Sequence, residues 1–127
     1  MPGRDGHLPC PCTRDYQRAG GTRSFSEYYT AAYGGALFDR MLRERVTFAD
    51  HSLATDAVFS ETQLVSCRNV LIQFNRQLQD RALGLFRDSL SHRGFLGLGS
   101  KETLDFSAVA DRFEAVSRTD RLYRKKP

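Results

Sequence analysis

Between Thr62 and Leu98 the chain runs through an apolar stretch, an amphipathic stretch and a second apolar stretch, and this order restricts the fold more than any other feature of its 127 residues. The first stretch, Thr62-Gln-Leu-Val-Ser-Cys67, reads as a strand that ends abruptly at Arg68-Asn69. Asn75 then suits a helix N-cap, because its side-chain oxygen can accept an amide left without a partner in the first turn. Leu78, Ala82, Leu85, Phe86 and Leu90 follow at i, i+4, i+7, i+8 and i+12, one face of an α-helix. Gln77, Asp80, Arg81, Arg87 and Asp88 take the other side. Gly84 in mid-helix costs about 1 kcal/mol against alanine, which predicts close packing there. Ser91-His-Arg-Gly94 ends the helix, with Gly94 as a left-handed cap, and Phe95-Leu-Gly-Leu98 is the next strand.

The flanks extend the pattern. Arg45-Val-Thr-Phe-Ala-Asp50 alternates in apolar character and reads as an earlier strand, followed by a polar loop at His51-Ser-Leu-Ala-Thr-Asp56. Val70-Leu-Ile-Gln-Phe74 is apolar but too short to classify by period. Residues 101–112 read as a loop with a short helix. Phe113-Glu-Ala-Val-Ser117 and Arg121-Leu-Tyr-Arg124 read as an antiparallel pair turning at Thr119-Asp120. Strands alternating with helices argue for an α/β sheet, here with an antiparallel end. Nearer the start, the aromatic-rich Ser26-Glu-Tyr-Tyr-Thr-Ala-Ala-Tyr33, Gly34-Gly35 and Ala36-Leu-Phe-Asp39 fit either a β-hairpin turning at the glycines or two short helical pieces. Residues 1–22 show no period and read as a disordered lead-in, which leaves residues 23–127 as one domain.

Composition excludes several classes. Hydrophobic residues make up 40% and charged residues 27%, ordinary for a globular protein. No apolar run approaches the roughly 18 residues of a membrane span, so no membrane insertion is expected. The first residues lack the apolar core of a secretory signal, which makes the cytoplasm the default compartment. The net charge of +4 gathers toward the two ends, without the basic stripe, stacking aromatics or named module that nucleic-acid binding requires. Cys10 and Cys12 with His7 fall short of the four ligands of a zinc site, so no metal is expected. Cys67, inside an apolar run, reads as a buried small hydrophobe.

In an open α/β sheet, ligands bind beyond the carboxyl ends of the strands. Three segments occupy that edge: residues 50–53, Arg68-Asn69, and residues 99–102. Arg68 can clamp a carboxylate with two parallel bonds, and Asn69 can both donate and accept. Alternatively, Arg68 pairs with a structural acid and Asn69 caps the next helix. His51 reads as a surface residue. Gly97-Leu-Gly99 lacks the third glycine of a dinucleotide fingerprint, and neither Ser60 nor Ser100 has the His and Asp of a hydrolase triad.

The string Val65-Ser-Cys-Arg-Asn-Val-Leu-Ile-Gln-Phe-Asn75 resembles the signature C-R-N-V-[LM]-I-Y-F-[DN] of CheR-type chemotaxis receptor glutamate O-methyltransferases. The resemblance runs on through Leu78-Gln-Asp-Arg81, Phe86-Arg-Asp-Ser-Leu90 and Gly94-Phe-Leu-Gly-Leu-Gly-Ser-Lys-Glu102. Val46-Thr-Phe-Ala-Asp-His-Ser-Leu53 resembles the family's V-x-F-x-x-[HE]-[NS]-L stretch, and residues 113–124 its closing hairpin.

The resemblance implies part of a Rossmann-like class I methyltransferase sheet and S-adenosyl-L-methionine as cofactor. It implies methyl-accepting chemoreceptor glutamates as substrate. The cofactor-binding positions carry over to Ser52, Leu53, Arg68 and Asn69. Gln73 stands where the family has a tyrosine near the methyl group, and Ser52 where it has asparagine. The family's glycine-containing cofactor loop, the strand after it and its N-terminal helical domain have no counterpart here. The expectation is a truncated form, inactive by itself, whose strand at residues 64–67 lies at an open edge and invites self-association. The alternatives are a non-catalytic module that docks a chemoreceptor or partner chain through residues 24–39, and an enzyme completed by a second chain.

Overall fold

The structure, a computed structural model, describes residues 7–8, 13–32, 34–58 and 60–127. Their contacts separate two units, one ending at Asp50 and one running from His51 to Pro127.

In the first unit, β1 (His7–Leu8) and α1 (Thr13–Arg18) precede a 3-10 turn at Phe25–Tyr28, β2 (Tyr29–Ala32), β3 (Gly35–Phe38) and α2 (Arg40–Arg43). β2 and β3 form the antiparallel hairpin, in register from Ala32 opposite Gly35 to Tyr29 opposite Phe38. Gly34 supplies the positive φ of the turn, 74°. The helical alternative therefore fails for the strands Tyr29–Ala32 and Gly35–Phe38, while residues 26–28 at the start of the stretch belong to the 3-10 turn at Phe25–Tyr28. β1 pairs with the other edge of β3.

The described part of residues 1–22 also differs from the expected lead-in, because it holds β1 and α1. Six residues are too few for a helical period to show in sequence. What anchors α1 is an aromatic contact: the Tyr16 ring stacks on Phe25 with centroids 4.9 Å apart. Cys10 and Cys12 lie outside the described residues.

The strand expected at residues 46–49 is absent. That stretch has no regular structure, and Val46 and Phe48 are exposed. Alternation prepares a strand, but a strand forms only where a neighbour takes its amides and carbonyls.

The second unit contains β4 (Thr62–Cys67), a 3-10 turn at Leu71–Gln73, α3 (Arg76–Ser89) and β5 (Leu90–Leu98). A 3-10 turn at Ala110–Arg112, β6 (Phe113–Ser117) and β7 (Leu122–Lys125) follow. The strand order is β4-β5-β7-β6. β4 and β5 are parallel, and the other pairs are antiparallel. The fold is thus the expected mixed α/β sheet closed by an antiparallel hairpin.

α3 forms for the reasons legible in its sequence. The Asn75 side chain accepts the Leu78 amide at 2.9 Å, and Ala82, Leu83, Leu85 and Phe86 are buried. Ala82, Leu83 and Phe86 join Leu96, Leu98, Leu104, Val109, Phe113 and Tyr123 in one core. At its C-terminal end the Lys125 ammonium donates to the carbonyls of Arg87 (2.7 Å) and Leu90 (2.8 Å), which satisfies groups that the helix itself leaves open.

Gly84 breaks the expectation of close packing: a Cβ there would meet nothing within 4 Å. Gly84→Ala is accordingly expected to stabilise the chain by about 0.5–1 kcal/mol, since it removes backbone freedom from the unfolded state without a clash. Urea denaturation checks this, and a loss of stability would show that the position is crowded after all.

β5 begins at Leu90, five residues before the expected Phe95. Leu90 pairs with Thr62 and Phe95 with Leu64, so residues 91–94 bulge out of the ladder. Arg93, at φ 59°, takes the left-handed conformation expected of Gly94. Gly94 is needed for a different reason. A Cβ on it would lie 3.0 Å from the Ser91 carbonyl oxygen and 3.2 Å from that of Gln63.

β4 is the edge of the described sheet, and Leu64 on it is 59% exposed. Among the described residues no helix is long and apolar enough to cross a membrane.

Candidate functional site

The parallel strands β4 and β5 end side by side, and the chain leaving each one passes a single buried carboxylate. Glu102 is 4% exposed. Its Oε1 accepts the Asn69 amide at 2.8 Å and the Gly99 amide at 2.7 Å, and its Oε2 accepts the Ile72 amide at 3.2 Å. The carboxylate therefore bridges the two strand ends and caps the turn at Leu71–Gln73. Three amide donors offset the cost of holding it away from water.

Asn69, first beyond β4 after Arg68, has φ 62°. Asparagine is among the few residues that enter this region readily. Its side chain does not cap the next turn, whose capping role falls to Glu102. Arg68 is exposed and makes no ion pair among the described residues. Both structural alternatives for this pair are therefore unrealised, and both side chains stand at the edge. Gly99 explains itself here: a Cβ would lie 2.8 Å from the Asn69 nitrogen and 2.8 Å from Glu102 Oε1.

Leu53 packs against the same core as Cys67 and Leu71. The loop around it is tied by Asp56, whose Oδ2 accepts the Ser52 amide at 2.8 Å and meets His51 Nδ1 at 3.2 Å. The Ser52 amide, then the His51 ring, hold the Asp56 carboxyl below its ordinary range. Arg81 of α3 donates to the Asp56 carbonyl at 3.0 Å. His51, read from sequence as a surface residue, thus helps to shape the loop. Among the described residues no hydrogen bond joins Ser52 to Arg68 or Asn69. Gln73, in the 3-10 turn, is exposed.

Cys67 is 7% exposed, and its thiol is pushed up to about 11 by burial and then by the Glu102 charge. A raised thiol pKa means that the folded state holds the proton more tightly. Its contribution to stability is complete below the ordinary thiol pKa near 8.5 and is lost as pH rises through about 11. Alkylation by iodoacetamide at mildly alkaline pH, mapped by mass spectrometry, is expected to spare Cys67 in the folded chain and modify it in urea. Rapid modification of the folded chain would show the thiol to be exposed.

Sequence reasoning placed residues 99–102 at this edge but did not single out Glu102. The available signal was an acid three residues beyond a glycine at the end of an apolar strand. A cavity of about 150 Å³ lies beside it, lined by Leu71, Ile72, Gln79, Lys101, Glu102, Thr103 and Asp105. It is below the roughly 300 Å³ at which ligand pockets begin. Among the described residues no group of three or more His, Cys, Asp or Glu could hold a metal ion.

Comparison with known proteins extends this picture. Residues 20–122 match the family model described as CheR methyltransferase, SAM binding domain. A Pseudomonas putida protein named Cher3 is 70% identical over 111 residues, which cover 87% of this chain and 41% of that protein. The chemotaxis protein methyltransferase of Vibrio parahaemolyticus is 35% identical over 60 residues, 47% of this chain and 21% of its own length. That of Listeria innocua is 37% identical over 62 residues, 49% of this chain and 24% of its own. The matched stretches therefore cover less than half the length of each of these relatives.

Proposed function

The chain belongs to the CheR methyltransferase family, and on that premise we propose that its second unit is one wall of an S-adenosyl-L-methionine site for methylating chemoreceptor glutamates in the cytoplasm. The observation that carries this reading is the strand-end edge, where Asn69 is held in a left-handed conformation with Arg68 exposed beside it.

The donor set fits such a cofactor on one side. Arg68 would pair with its carboxylate, Asn69 and Ser52 would hydrogen-bond its polar groups, and Leu53 offers apolar contact. When bound, S-adenosyl-L-methionine supplies an electrophilic methyl group. A glutamate carboxylate is already a nucleophile, so this wall contributes alignment rather than proton transfer. Gln73 presents an amide where the family has an aromatic ring. The exposure of Arg68, Asn69 and Gln73 and the small adjoining cavity support a wall that is not closed by these residues. Residues 1–127 by themselves are accordingly proposed to be inactive.

Calorimetric titration of the chain with S-adenosylmethionine and S-adenosylhomocysteine tests this. The expected dissociation constant is about millimolar or weaker, a binding free energy of roughly 4 kcal/mol or less. Amide spectra at high ligand should then shift at Ser52, Arg68 and Asn69. Asn69→Gly, which keeps the positive φ but removes the side chain, should abolish those shifts. Saturable micromolar binding would overturn the open wall, and shifts confined elsewhere would overturn the site.

A further inference from the structure

We infer that Glu102 is a positioning residue: its carboxylate sets the backbone of Asn69 and thereby the direction in which the Asn69 side chain leaves the sheet edge. The observation is one of connectivity. Asn69 follows β4 and Gly99 follows β5, and no backbone ladder joins them, because the β4–β5 register ends at Cys67 opposite Leu98. Beyond that point one oxygen, Glu102 Oε1, receives both amides, at 2.8 and 2.7 Å. The second oxygen fixes the Ile72 amide three residues on, at 3.2 Å. Asn69 is thus held from its own amide and from the turn that follows it.

A left-handed residue between two such anchors cannot relax to the extended form without breaking a charge-assisted bond. Gly99 is the matching part, since any side chain there would enter the space between Asn69 and Glu102. The carboxylate is spent on backbone amides, so Glu102 acts through Asn69 and not on a ligand. Its consequence for ligand binding rests on the cofactor-site reading above. Its effect on Asn69 does not.

Two measurements on the whole chain decide the matter. In the unaltered protein, through-hydrogen-bond coupling is expected from the Asn69 and Gly99 amide nitrogens to the Glu102 carboxyl carbon. Its absence from both overturns the inference, whatever any variant does. In Glu102→Asp, which keeps the charge but withdraws it by one methylene, exchange protection of the Asn69 amide should fall about tenfold, the loss of one charge-assisted hydrogen bond. The Asn69 amide–Hα coupling and its carbon shifts should leave their left-handed values. A Glu102→Asp chain that melts lower while Asn69 keeps those values would make Glu102 merely structural and overturn the inference. Titration with S-adenosylhomocysteine separates the two readings. If the unaltered chain shows no ligand-induced shift at Asn69, the cofactor site fails while the Asn69 geometry is still decided by the coupling.

Discussion

Leu96→Ala is expected to lower the thermal midpoint of the chain by roughly 10–20 °C, the largest effect of any single change considered. Leu96 is fully buried in β5, opposite Val65 on one side and Tyr123 on the other. Truncation there loses the transfer energy of the removed carbons and leaves a cavity in the core against the sheet face. Together these cost about 3 kcal/mol. Small domains rarely hold more than about 5–15 kcal/mol in total, and the open β4 edge places this one toward the low end. Leu64→Ala is the matched control. It removes the same atoms from a position that is 59% exposed on the edge strand, so the expected change is within about 0.5 kcal/mol. Calorimetric or circular-dichroism melting of both variants decides. Equal shifts would mean that the described core is not the one that holds the chain together.

Gly99→Ala should cost about 1–3 kcal/mol and disturb the candidate site directly. The added methyl would lie 2.8 Å from both the Asn69 nitrogen and Glu102 Oε1, distances that real Cβ contacts do not reach. Something must move: the nearest neighbour is the Asn69 side-chain Oδ1, with the Asn69 backbone nitrogen and the buried Glu102 carboxylate close behind it. Gly97→Ala, two residues earlier in β5, provides the contrast, because a Cβ there meets nothing within 4 Å. Urea denaturation should separate the two variants by at least 1 kcal/mol. Amide spectra should show Asn69, Ile72 and Gly99 displaced in the first variant alone. A Gly99→Ala chain as stable as the original would remove the case for close approach at this edge.

Much of the second unit was legible because its signals are local. The α3 stripe and the Asn75 cap depend on neighbours within one or two turns, and the structure has both. Thr62–Cys67 and Phe113–Ser117 carry composition that suits a strand wherever it lies, and both bounds agree. The motif around Arg68-Asn69 identified the family, and the family model agrees.

The misreadings share a cause. Residues 46–49 alternate as well as any strand here, yet alternation does not supply a partner for the backbone. Gly94 looked like a cap, yet its lack of a side chain serves the approach of the Gln63 carbonyl, and Arg93 turns left-handed instead. Gly84 looked like a packing site and faces open space.

By itself, the sequence determined the helix, the strand composition and that Arg68-Asn69 and residues 99–102 follow strands, since each follows from propensity and period along the chain. Only the tertiary structure decided which strands pair, where β5 begins, and that Glu102 joins the ends of β4 and β5. Those outcomes depend on groups far apart in sequence: Asn69 and Glu102 are 33 residues apart and meet at 2.8 Å. A hydrogen bond of that kind has no period to read. It exists only once two strands lie side by side and leave amides that a buried carboxylate can satisfy.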